Sequence, residues 1–134
     1  MMLARIRLFI VVLIALCSLS GFADETVFSG TPAIRVTVLA ADDPLREELG
    51  ADKGVEFAVQ IVESGGRYYW ATRQMKEMRA HESVGYVTYV AEDGSGYVRV
   101  SRGFGKGISD GPYDYLEHLN IGLNTISYLG YNSP

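Results

Sequence analysis

Short apolar–polar alternations broken by glycine-centred turns run through most of this chain, and they constrain its fold more than any other feature. Residues 84–91 (VGYVTYVA) and 96–102 (GYVRVSR) flank Glu92-Asp93-Gly94-Ser95, where the Asp-Gly pair enters the positive-φ region at low cost. Residues 55–63 (VEFAVQIVE) put Phe57, Val59 and Ile61 on one face, Ser64-Gly65-Gly66 makes a turn, and residues 67–73 (RYYWATR) return. Residues 33–39 (AIRVTVL) set Ile34, Val36 and Val38 against Arg35 and Thr37, and residues 125–131 (TISYLGY) alternate again. A period of two is the signature of strands with one face buried.

Two stretches read as helices. In residues 43–50, Asp43 suits an N-cap, Pro44 the first helical position, Glu47 and Glu48 the positive end, and Gly50 the exit. In residues 113–123, Leu116, Leu119 and Leu123 recur at i, i+3 and i+7 after Pro112, an apolar helical stripe. Residues 24–32 lack periodicity and read as a flexible lead-in, residues 74–81 as a helical turn or loop, and the glycine-rich residues 103–111 as a loop. The expected fold class is α+β. It is an antiparallel sheet of five or six strands, two hairpins plus N- and C-terminal strands, covered by one late amphipathic helix. Leu116, Leu119, Phe57, Val59, Ile61, Val98 and Val100 are its expected core, within a single globular domain over residues 33–134.

The first 23 residues carry a different signal. Arg5 and Arg7 precede the apolar run LFIVVLIAL of residues 8–16, and Gly21-Phe22-Ala23 precedes Asp24. A basic start, a short apolar run and small residues before a cut describe a secretory signal peptide, with cleavage expected between Ala23 and Asp24. Nine helical residues reach about 13.5 Å, far short of the roughly 30 Å of bilayer hydrocarbon, so no stable membrane span is expected after cleavage. Cys17 offers a lesser alternative, lipoprotein anchoring, although the bulky Leu16 before it fits that processing poorly. The chain is therefore expected to be exported to a periplasm or extracellular space.

Removing 23 of 134 residues leaves 111, and with Arg5 and Arg7 gone 10 basic residues face 16 acidic ones, a net charge of −6. A body of that charge repels nucleic acid and anionic membranes at long range, so no nucleic-acid partner is expected. Cys17 is the sole cysteine and leaves with the leader, which removes disulfides, thiol catalysis and cysteine-bound zinc from the mature domain.

No motif in the chain carries decisive chemistry, and no cofactor or metal is expected. His81-Glu82 begins like a zinc-protease helix but lacks the second histidine four residues after the first. Glycines 103, 105 and 107 lack the Gly-Lys-Ser/Thr of a phosphate loop, although Lys106 among them can meet an anion. A small hydrolase or lyase would use His118 or His81 with Glu117, Asp114 or Glu82. A structural cell-envelope component is a further alternative. The leading expectation comes from the aromatics. With Val98 and Val100 inward, Tyr97 and Arg99 point outward, and with Tyr68, Trp70 and Tyr86 they form a candidate surface for a protein, peptide or glycan. The chain reads as a non-enzymatic periplasmic binding or interaction protein using its hairpin face.

Overall fold

The computed structural model describes residues 24–40, 42–103, 108 and 111–133. Among these residues the order is β1 (Glu25–Val38), β2 (Leu45–Glu48), α1 (Ala51–Glu56), β3 (Val59–Ser64), β4 (Arg67–Trp70), a 3-10 turn (Ala71–Arg73), β5 (Lys76–Ser83), β6 (Tyr86–Ala91), β7 (Gly96–Ser101), β8 (Tyr115–Ile121) and β9 (Asn124–Asn132). From β3 to β9 every strand pairs with the next, and β9 returns to β1, which also holds β3. Eight antiparallel strands close into a barrel, and β2 sits outside the ring.

The length of β1 makes this closure possible. Its first part pairs with β3, from Glu25↔Glu63 to Gly30↔Val59. Its second part pairs with β9, from Gly30↔Asn132 to Val38↔Thr125. Register shifts fall between Thr26 and Phe28 and between Pro32 and Ile34. Pro32 has no N–H to give the ladder, so a bulge there costs little and adds bend. Where β3 leaves the edge of β1, β2 takes it over, from Ile34↔Glu48 to Thr37↔Leu45. Gly130 lets the seam close: a Cβ there would meet the Thr31 carbonyl oxygen and the Pro32 Cα.

The barrel interior is packed with side chains. Val59, Ile61, Trp70, Val98 and Tyr115 are essentially inaccessible, with Phe28, Met78, Tyr89 and Ala91 around them. A second cluster lies on the outer wall, where Ile34 and Leu129 meet Ile108, with Leu116, Tyr86 and Tyr113 packed against them. Ile108 and Tyr113 form an isolated antiparallel bridge at this cluster.

Several expectations are corrected. The fold is nearly all β, and no late amphipathic helix covers a sheet. Residues 115–121 are instead β8, hydrogen-bonded between β7 and β9. The leucine stripe misled because the inward positions of β8 are Tyr115 and Glu117, and a charged residue there hid the period of two. Leu116 faces the outer cluster and Leu123 is 86% exposed in the hairpin turn. The helix expected at residues 43–50 is β2, whose Glu47 meets Arg35 across the strand pair. A short helix does follow, α1, with Gly50 as its N-cap rather than an exit. Residues 25–32, expected as a flexible lead-in, form the start of β1 and bury Phe28. Residues 76–83 are β5, entered through Gln74 and Met75 at positive φ (61° and 54°).

Other expectations hold in whole or in part. Both hairpins form about the expected turns, but the first is shorter than expected, since residues 55–56 belong to α1 and residues 71–73 to the 3-10 turn; β9 completes the barrel. Val59, Ile61 and Val98 are buried as expected, whereas Val100 and Leu119 are only half-buried and pack against the core. Phe57 is a further correction: expected on one strand face with Val59 and Ile61 in the core, it instead caps the end of α1, is half-buried and stacks on Tyr128, with centroids 5.3 Å apart. The leader over residues 1–23, with Cys17 and Ala23, lies outside the described residues, as does Lys106.

Candidate functional site

Alternation along β7 builds the candidate surface. Val98 is fully buried inside the barrel, so its neighbours Tyr97 and Arg99 belong to the outer wall. Arg99 sits opposite Thr88 of β6, and its Nε donates to Thr88 Oγ1 at 3.1 Å. Its guanidinium carbon lies 5.0 Å from the Tyr86 ring centroid and 5.4 Å from that of Tyr97. Tyr97 pairs across strands with His118 and stacks on it, with centroids 5.0 Å apart and planes 21° from parallel. Four planar groups, Tyr86, Arg99, Tyr97 and His118, therefore line up across β6, β7 and β8. All four are half-buried, since each shields its neighbours.

The end of this row is also fixed. Asn120 Nδ2 donates to the Gly94 carbonyl, which turns Asn120 Oδ1 toward His118 Nε2 at 3.1 Å. A carbonyl oxygen only accepts, so Nε2 carries the proton. His118 Nδ1 meets Ser127 Oγ at 2.9 Å. Cation–π and stacking contacts of this kind hold the planar groups in set orientations.

Tyr68 and Trp70 are not part of this surface. Trp70 pairs with Ile61 and is fully buried, and Tyr68 packs edge-on against Tyr89 in the interior, with centroids 5.2 Å apart. The five residues singled out thus divide into Tyr86, Tyr97 and Arg99 outside and Tyr68 and Trp70 inside. Strand alternation had put Tyr68 and Trp70 on one face; it could not say that this face lines a closed barrel.

The interior holds a polar cluster that sequence reasoning missed. Glu117 is fully buried, and its Oε2 accepts from Trp70 Nε1 at 2.8 Å. Arg73 grips both carboxylate oxygens, Nε to Oε2 and Nη2 to Oε1, each at 3.2 Å. Burial pushes the Glu117 carboxyl up from its ordinary range, against the opposing pull of Arg73 and Trp70. Burial also weakens the Arg73 charge, but its bonds and charge contact with Glu117 outweigh this and hold it upward. The Tyr115 hydroxyl is buried without a hydrogen-bond partner among the described residues, and burial raises its pKa. Glu117 had been weighed only as a partner for His118; the signal that reveals its role is its inward register between Tyr115 and Leu119.

These placements separate the groups that an acid–base site would need. Glu117 and His118 are neighbours on a strand, so one enters the barrel and the other leaves it. Glu82 pairs with Arg102, and Asp114 accepts the Asn132 amide at 2.8 Å. His81 is exposed on β5 opposite Thr88. Two surface depressions, one around Phe28, Val100 and Asn132 and the other around Tyr68, Met78 and Glu92, include neither histidine. Among the described residues no cluster of three or more His, Cys, Asp or Glu is placed to hold a metal ion, and no helix is long and apolar enough to cross a membrane. Compared with protein-family models, curated proteins and solved structures, the chain matches none of them.

Proposed function

We propose that this protein is an exported, non-enzymatic binding module of the periplasm or extracellular space, recognising a protein, peptide or glycan through the outer wall of β6–β8. The row Tyr86–Arg99–Tyr97–His118 carries the reading. The barrel core closes without it, because the interior cluster contains none of the four. Tyr and Arg with fixed orientations combine large contact area with polar tips, and little side-chain freedom remains to be lost on binding. Export rests on the leader sequence of residues 1–23. The outer wall of β5 carries Glu77, Arg79 and His81 while Met78 packs inward, the reverse of a strand that faces lipid.

The test is capture from native cell envelope with the tagged mature domain. The wild type and His81→Ala should retain the same partner. The double substitution Tyr97→Ala, Arg99→Ala should lose it while lowering stability by no more than about 1 kcal/mol, as surface sites do. A partner retained by the folded double variant would sink the proposal. Unfolding of that variant would do so too, by making the row structural.

A further inference from the structure

We infer that Arg99 is a receptor for a carboxylate on a protein partner, an Asp or Glu side chain docked against the β6–β8 wall; this deepens the binding reading above and rests on it. Among the described residues of the eight barrel strands, Arg35, Arg67, Lys76 and Arg79 each form an ion pair with a carboxylate, to Glu47, Glu77, Asp93 and Glu92. Arg99 is the exception. In a chain with 16 acidic and 12 basic residues it meets no described carboxylate, although it is half-buried. Its Nε is used by Thr88, and its face by Tyr86 and Tyr97. The terminal nitrogens, the two that receive a carboxylate side by side, have no hydrogen bond to a described residue.

The surrounding groups favour an acidic protein side chain over a sugar. Sugars dock on open aromatic faces, but the Tyr86 face is engaged by Arg99, and Tyr97 is engaged by both Arg99 and His118. What the row leaves unengaged is the terminal guanidinium N–H groups of Arg99. Such groups bond a carboxylate and complement its charge. Because the mature chain is net negative, general attraction for polyanions is weak, so binding of one would report a local site.

The probes are poly-L-glutamate and, as a carbohydrate polyanion, oligogalacturonate, titrated into the folded mature domain with binding followed by calorimetry and by backbone amide NMR. Poly-L-glutamate should bind, with shifts centred on residues 86–88, 97–99 and 116–118. Arg99→Gln should weaken it by about tenfold or more, as loss of a charge-assisted hydrogen bond implies. Arg99→Lys keeps the charge but not the paired donors and should also weaken it. No binding, binding untouched by Arg99→Gln, or full rescue by lysine would overturn the inference. Tighter binding of oligogalacturonate would overturn the assignment to a protein partner. Envelope capture separates this failure from that of the parent reading. A native partner lost with Tyr97→Ala but kept with Arg99→Gln leaves the binding surface standing and removes the carboxylate; a partner kept by both removes both.

Discussion

Glu117 shows how one residue can hide an element from the sequence and then organise the interior. It occupies an inward position on β8, where an apolar residue is the usual choice, and reaches Trp70 and Arg73 instead. The Arg73 side chain is 29% exposed and Glu117 is inaccessible, so the pair closes over the carboxylate from the solvent side. Removing one partner of a buried pair strands the other, and Arg73→Ala should cost about 3–5 kcal/mol near neutral pH. The pH dependence has a definite sign. Burial already raises the native Glu117 pKa above its ordinary value of 4.5, so the folded state holds the proton more tightly than the unfolded chain. Stability contributed by this group therefore declines as pH rises from about 4.5 through the raised native value. Without Arg73 the rise is larger, so urea unfolding of Arg73→Ala should show a deficit that shrinks from pH 7 toward pH 4.5. A deficit that is equal at both values would mean that the carboxyl is not stranded.

At the scale of elements, pairing overrode local preference twice. Residues 45–48 carry helix-start chemistry yet become β2, because β1 beyond Gly30 offers an edge that β3 has left. Residues 115–121 carry a leucine stripe yet become β8, because both flanking strands offer ladder partners. The β1–β9 seam depends on a backbone approach that leaves no room for a side chain at Gly130. Gly130→Ala should therefore force backbone apart and destabilise the fold by about 1–3 kcal/mol or more, as overpacking does. Gly50 has nothing within 4 Å of an added Cβ and serves as the control. Equal melting temperatures for the two variants would contradict the seam geometry.

For the whole molecule, closure is the central feature. The ring leaves no free edge among its eight strands, while β2 presents one open edge protected by its shortness and by Arg46, Glu47 and Glu48. Native-state hydrogen exchange should find the seam amides of Val36 and Ser127 as protected as those of the β6–β7 ladder, because both open only with the barrel. The outer-edge amides of β2 should exchange much faster. Rapid exchange along the seam would indicate an open sheet.

The sequence by itself determined the two hairpins, their turns, the alternation of β1 and β9 and the outward face of β7. Each of these is local: a period of two and a positive-φ turn are written in neighbouring residues. Tertiary structure alone decided that the sheet closes, that β5 and β8 are strands, and that Tyr68 and Trp70 lie inside while Tyr86, Arg99, Tyr97 and His118 align outside. Closure depends on pairing between residues about 90 positions apart, such as Val36 and Ser127, and no local pattern encodes it. Inside and outside are interchangeable for an alternating strand until the ring exists, and only then does Glu117 acquire its partners from β4 and the 3-10 turn.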